Sequence, residues 1–334
     1  MKNKQIIGIV VAGMVFIAVS GFGILSNYLA GNFAKKTTTA NFGSAMGLGP
    51  QISLPAEDFI GVIDVVGTIQ ASSDEGIFSA SEGYNHDLYM KFVDKLIDSK
   101  NNKGIILYVD SPGGTVYESD ELYLKLMEYK EATARPIWAY LASMACSGGY
   151  YISMASDTIY ANRNCMTGSI GVIMSMYNYK ELLDKLGVQE VDITSGANKS
   201  MGSGGLDMTE EQKAIFQSMV DESYDQFVGI VAEGRDMDEA TVRKLADGRV
   251  YTAKQALEAK LIDSIDDYEQ MKTDMEAAIE AENVTYYAPG GDQLTNLFSS
   301  LFSTYKSTKT KSDAELAKEL LTESRNGVLM YYAK

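Results

Sequence analysis

Two hydrophobic periods alternate along the first half of the chain. FIGVIDVVGTI (59–69) and GIILYV (104–109) are short, largely apolar runs, as expected of strands buried on both faces. Between them Leu88, Phe92 and Leu96 recur at helical spacing and predict a helix over 87–98. A helix over about 116–131, a strand PIWAYL (136–141), a helix from Ser147, a short strand DTIYA (157–161) and a helix over about 178–187 continue the rhythm. Strands separated by helices imply parallel pairing through right-handed crossovers, so the expected fold class is α/β.

From Thr209 the pattern becomes more helical. Thr209 and Gln212 have capping-box spacing, and Phe216, Val220, Phe227 and Val231 carry an apolar stripe to Gly234. Thr252 and Gln255 repeat the device. From about 291 two further helical patterns lead to the ending GVLMYYAK.

One run is neither core helix nor strand. IIGIVVAGMVFIAVSGFGIL (6–25) has twenty residues without a charge and follows Lys2 and Lys4, which suits a membrane-spanning helix. A cleaved secretory signal has a shorter apolar core and a small-x-small end, for which Tyr28-Leu29-Ala30 is a poor match. The expected organisation is an N-terminus and transmembrane anchor over 1–30, a Lys/Thr/Gly/Ala tether over 31–57, a folded domain over 58–290 and a helical tail over 291–334. The N-terminus is expected inside the cytoplasm and the bulk of the chain outside it.

Composition narrows the function. With 46% hydrophobic residues the 334-residue chain can build a sizeable core. A net charge of −16 opposes nucleic-acid binding, which needs a basic face, and reads as an acidic, solvated surface. Cys146 and Cys165 are too few for a disulfide framework and lack zinc-ligand spacing with a histidine. Both read as small buried hydrophobes, and no metal or cofactor is expected.

In MACSGGYYISMAS (144–156) Ser147 follows a strand and opens a helix, so the Gly148 amide can donate to an oxyanion beside it. A serine nucleophile needs a base, and the chain has a single histidine, His86, expected as an exposed residue at a helix start. The first glycine of G-x-S-x-G is also missing, so an α/β-hydrolase elbow is not supported. A lysine can take the role where burial disfavours its ammonium form. Lys199 stands in TSGANKSMGSGG (194–205), with no acid between Asp192 and Asp207. The competing reading is a lysine kept for solubility in a Gly/Ser-rich loop.

In DSPGGT (110–115) two glycines at a strand's end can turn backbone N–H groups toward a ligand, or simply make a turn into a helix. In MTGSIGVIM (166–174) Ser169 is placed either to orient a lysine amine or to satisfy a turn. Cys146 adjoins Ser147, but neighbouring residues entering a helix point apart, so only one faces the oxyanion site.

Together Asp110-Ser111-Pro112-Gly113-Gly114, Ala145-Cys146-Ser147-Gly148-Gly149-Tyr150-Tyr151, Thr167-Gly168-Ser169-Ile170-Gly171-Val172 and Gly248-Arg249-Val250-Tyr251-Thr252 closely resemble the bacterial signal peptide peptidase A family, in its short, single-repeat, anchored form. The resemblance implies a Clp protease/crotonase-like fold and a Ser-Lys peptidase that degrades signal peptides left in the membrane after secretion. It makes Ser147 the nucleophile, Lys199 the general base, Ser169 the residue that holds the lysine amine, and the Gly114 and Gly148 amides the oxyanion donors. Lys199 is assigned by its Gly/Ser setting and its place 52 residues after Ser147, because its own stretch carries no family motif.

The family also implies homo-oligomeric rings or domes, in which short forms can complete the dyad between neighbouring subunits. The helices after Thr209 would then line subunit contacts. Substrates should be extended, apolar peptides, with activity rising through neutral to mildly alkaline pH. The ending Val328-Leu329-Met330-Tyr331-Tyr332-Ala333 is itself such a peptide, a candidate either to dock in an active site or to pack between subunits. Two rival classes stand beside this reading: a crotonase-type acyl-CoA enzyme, which would want an acidic catalytic pair and basic residues for phosphates, and an inactive membrane-tethered scaffold.

Overall fold

GIILYV forms the middle of strand β2 (Asn102–Ser111), where Ile105, Ile106, Leu107 and Val109 are all fully buried. β2 pairs in parallel with β1 (Phe59–Val66) on one side and β4 (Ile137–Cys146) on the other. In the computed structural model, which describes residues 52–71, 83–281, 284–289 and 329–332, these three strands are the centre of the main sheet. β5 (Thr158–Ala161) and β9 (Ser264–Ile265) extend it beyond β4, and β10 (Thr285–Tyr287) extends it beyond β1, all in parallel. The α/β reading with a parallel-rich sheet is therefore correct. All of this lies in the compact unit Leu54–Lys334.

Helix α1 (His86–Asp98) buries Phe92 and Leu96 against β1, so close that a Cβ at Gly61 would come within 2.7 Å of Leu96 Cδ1. α2 (Val116–Thr133) packs beside α1 and against α3 (Gly148–Ser153). On the opposite face Met271 and Met275 of α8 (Tyr268–Ala278) cover Ile60, Val62, Ile106 and Tyr140. A sheet covered on both sides explains why its strands are apolar throughout rather than alternating.

Both expected capping boxes are present. Thr209 caps α5 (Glu210–Gly234) with Gln212 reciprocating, and Thr252 does the same with Gln255 for α7 (Ala253–Glu258). α6 (Glu239–Leu245) packs against α5. The C-terminal end of α5 is held by Arg235, whose guanidinium donates to both Asp263 oxygens at 3.0 and 2.6 Å and to the Lys260 carbonyl.

Three expectations need revision. His86 is not an exposed capping residue: Asn85 is the cap, and the imidazole is 5% exposed between the Tyr84 hydroxyl at 2.6 Å and Glu121 Oε2 at 2.7 Å. The stripe on α5 is buried only from Ser223 onward, because Gln217, Val220 and Asp221 border a cavity instead of core. The tail over 291–334 was expected to be helical with an ending that could dock as a peptide, and its described part, Leu329–Tyr332, is strand β11 rather than helix. The apolar run at 6–25, most of the tether and the tail from 290 to 328 lie outside the described residues; among the described residues no helix is long and apolar enough to cross a membrane.

Candidate active site

The site is built where three strand ends meet. β2 runs out at Ser111 and is followed at once by the short β3 (Gly113–Thr115), which leads into α2. Ser111 shapes this turn: its Oγ accepts from the Gly113 amide at 3.1 Å. Gly113 has φ +105°, a conformation that L side chains rarely adopt. Gly114 has no room for a side chain, since a Cβ there would lie 1.7 Å from the Ile69 carbonyl oxygen. Ile69 clamps the pair, donating to the Gly113 carbonyl and accepting from the Thr115 amide, each at 2.9 Å.

β4 ends at Cys146, and Ser147 is the N-cap of α3 with φ 53° and ψ −116°. A non-glycine residue in that region carries a conformational cost of about 1–3 kcal/mol. Ser147 is 1% exposed, and its Oγ has no hydrogen-bond partner among the described residues. The next residue, Gly148, lies against the β3 turn: a Cβ on it would sit 3.1 Å from Gly114 N and 3.3 Å from Gly113 Cα. The expected nucleophile is thus followed by a glycine whose backbone packs on Gly113 and Gly114, so the two glycine pairs lie side by side.

The third strand is β6 (Met166–Gly168), which pairs in parallel with the end of β4 and antiparallel with β8 (Val250–Thr252). The Ser147 amide donates to the Gly168 carbonyl at 2.7 Å, which brings Ser169 beside the serine. Ser169 has φ 49° and donates its amide to the Arg249 carbonyl at 2.8 Å. The two motifs TGSIGV and GRVYT therefore act as one hairpin-like brace. A cavity of about 470 Å³ opens beside Ser169, lined by Ile173, Gln217, Asp221, Tyr224 and Asp247 among others.

Lys199 is not brought to this site within the chain. It is exposed, its amide donates to the Gly196 carbonyl, and its Nζ has no ion pair or hydrogen bond among the described residues. The segment around it is unusually bare: Ile193 is 98% and Val191 79% exposed, and α4 (Lys180–Lys185) buries no residue.

Cys146 and Cys165 are buried as expected, and burial pushes both thiols up to about 12, so both stay protonated at neutral pH. Among the described residues no cluster of three or more His, Cys, Asp or Glu side chains forms a cation cage.

The cleft is not empty. β11 enters as the middle strand between β3 and β7 (Ile173–Met174), antiparallel to both. The sequence ending, a candidate to dock in an active site, lies here against the Gly113-Gly114 turn, though its pairing with β3 more than 200 positions away has no local signal. The turn-shaping role of Ser111 escaped the sequence reading, although it had a local signal, a serine two residues before a glycine in a turn.

The model of Peptidase family S49 matches residues 130–282, which include Ser147, Ser169 and Lys199. The chain is similar to an Enterococcus faecium protein named "Putative signal peptide peptidase SppA", with 43% identity over 203 residues, 61% of this chain and 58% of that relative. It is also similar to a "Putative protease" of Methanocaldococcus jannaschii, with 33% identity over 63% of this chain and 67% of the relative. "Protease 4" of Haemophilus influenzae shares 33% identity over 63% of this chain and 33% of its own length.

Proposed function

The chain belongs to peptidase family S49, and on that premise we propose that it is a membrane-anchored serine endopeptidase degrading signal peptides that remain in the bilayer after secretion. Ser147 Oγ attacks the peptide carbonyl as Lys199 Nζ takes its proton, and the Gly114 and Gly148 amides donate to the oxyanion. The C–N bond breaks, the amine leaves with the proton, and water hydrolyses the resulting ester. Ser169 orients the lysine amine. A parallel sheet carrying its nucleophile at a strand-to-helix junction is consistent with the Clp protease/crotonase-like fold.

The observation that carries this reading is Ser147 itself. A strained backbone and a buried hydroxyl without a partner both cost stability, and packing alone gives no reason to keep them beside two closely packed glycine turns.

The base is supplied by a neighbouring copy of the chain. Exposed Val191 and Ile193 around Lys199 suit burial against a second subunit. The run at 6–25 serves as the single-pass anchor, with the catalytic domain outside the cytoplasm.

The test is acylation by a serine-directed fluorophosphonate, with the adduct located by mass spectrometry. Modification at Ser147, lost in Lys199→Ala, is expected; no adduct at Ser147 would favour the scaffold or the acyl-CoA enzyme instead. Mixing Ser147→Ala and Lys199→Ala chains should restore part of the turnover. No restoration would leave the lysine within its own chain.

A further inference from the structure

The direction of Gly114 N–H, one of the two expected oxyanion donors, is set from outside β3. Ile69 lies beside this strand as a single parallel bridge, donating its amide to the Gly113 carbonyl and accepting from the Thr115 amide, each at 2.9 Å. Across a planar trans peptide the carbonyl and the following N–H point in opposite directions. Fixing the Gly113 carbonyl on Ile69 therefore turns Gly114 N–H the other way, to the edge of β3 that β11 occupies.

Two elements flank this turn, the arm that carries Ile69 out of β1 and the first turns of α2. The arm is held where it leaves the sheet and where it returns. Gly67 donates its amide to the Asp110 carbonyl at 2.9 Å, and Tyr84 donates its amide to the Val66 carbonyl at 2.8 Å. α2 begins at Val116, but its N-cap Thr115 makes no side-chain cap, and the Thr115 hydroxyl is buried with no partner among the described residues. The side-chain bond that commonly pins a helix start is thus missing.

His86 ties the two elements together. Its Nε2 lies 2.7 Å from Glu121 Oε2 of α2, and its Nδ1 lies 2.6 Å from the Tyr84 hydroxyl. A carboxylate only accepts, so Nε2 carries the proton and Nδ1 accepts from Tyr84. Burial, and then the Glu118 carboxylate, push the Tyr84 phenol far up, so it keeps the proton it donates. Imidazole and phenol are both buried, and the Tyr84 ring stacks on Tyr89 with centres 5.8 Å apart. From Val66 through Tyr84, His86 and Glu121 to α2, the bonds close a loop around the Gly113-Gly114 turn.

We propose that His86 is a positioning residue for the oxyanion site: with Tyr84 and Glu121 it forms a strut that holds the Ile69 arm against α2 and keeps Gly114 N–H aimed at the cleft. This rests on the reading of Ser147 as nucleophile and Gly114 as oxyanion donor. It also gives a reason for the chain's one histidine to be buried with both ring nitrogens bonded, although it takes no proton in the proposed chemistry. The strut acts where the oxyanion forms and hardly on the ground-state grip on the peptide, so its loss lowers kcat and leaves KM. Removing an oxyanion donor outright costs about 10²–10³-fold, and one kept but misaimed should cost on the order of 10-fold.

The experiment measures kcat and KM for an extended peptide on the full chain, together with inhibition by the matching peptide aldehyde, whose Ser147 adduct places an oxygen at the oxyanion position. Glu121→Leu removes the acceptor at a partly exposed position, Glu121→Gln keeps an oxygen that can accept from Nε2, and His86→Phe keeps a ring but neither bond. In Glu121→Leu and His86→Phe, kcat should fall about 10-fold with KM within about two-fold, and aldehyde inhibition should weaken in proportion. Glu121→Gln should recover most of the loss. Wild-type kcat and aldehyde inhibition in Glu121→Leu would overturn the strut, as would an equal loss in Glu121→Gln or a loss carried by KM alone; the two Glu121 variants decide this even where His86→Phe does not fold. A wild-type chain that neither cleaves the peptide nor reacts with the fluorophosphonate at Ser147 overturns the peptidase reading beneath it.

Discussion

The Ser147 amide donates to the Gly168 carbonyl at 2.7 Å, so the strand that ends beside Ser169 fixes the backbone of the residue at the centre of the site. The same strand is tied to β4 by Thr167 Oγ1, which donates to the Ala145 carbonyl at 2.7 Å, and to β8 by the Ser169 amide. The backbone of Ser169 is therefore braced from two neighbouring strands.

Ser169→Ala should reduce kcat by on the order of 10²-fold through loss of orientation, with the backbone brace intact. Steady-state kinetics beside thermal unfolding would check this. A kcat equal to wild type would remove the hydroxyl from the site.

Gly114→Ala should be damaging twice over. Its Cβ would press on the Ile69 carbonyl oxygen and carbon, at 1.7 and 2.5 Å, and neither is the end of a flexible side chain. A destabilisation of about 1–3 kcal/mol is expected from overpacking. Displacing one oxyanion donor should also lower kcat by about 10²–10³-fold. Denaturant unfolding and turnover measured on one preparation separate the two effects; retention of both would contradict the tight contact.

Tyr331→Ala should raise activity toward added peptides several-fold. The tethered β11 competes at an effective concentration on the order of mM, and the buried, hydrogen-bonded Tyr331 ring anchors it. Initial rates at low peptide concentration give the readout. Lower activity in this variant would mean that the strand supports the cleft rather than blocking it.

Cys146→Ala should keep most of the activity. The thiol is buried and pushed up to about 12, so it is neutral at any pH below that value and a poor nucleophile throughout the working range. Slow alkylation of the native protein by iodoacetamide at pH 8, with an unchanged pH–rate profile in the variant, would confirm it. Loss of activity together with rapid alkylation would instead make Cys146 part of the chemistry.

Much of this arrangement was legible in the residue pattern, because its causes are local. Apolar runs without alternation mark strands covered on both faces, and Thr209 with Gln212 and Thr252 with Gln255 mark helix starts, since each device depends on neighbours within a turn or two. Gly113-Gly114 and Ser147-Gly148 likewise declared a turn and a strand-to-helix junction. The chain alone could not show that these segments, more than 30 residues apart, put the amides of Gly114 and Gly148 together; parallel pairing of β2 with β4 decided that. Nor could it show that His86 is buried between Tyr84 and Glu121, or that residues 329–332 return as a strand beside Gly113 and Gly114. Such contacts come from sheet order and helix packing, which bring together positions with no shared periodicity. Local rules therefore chose the residues of the site, and only the tertiary fold decided which of them meet.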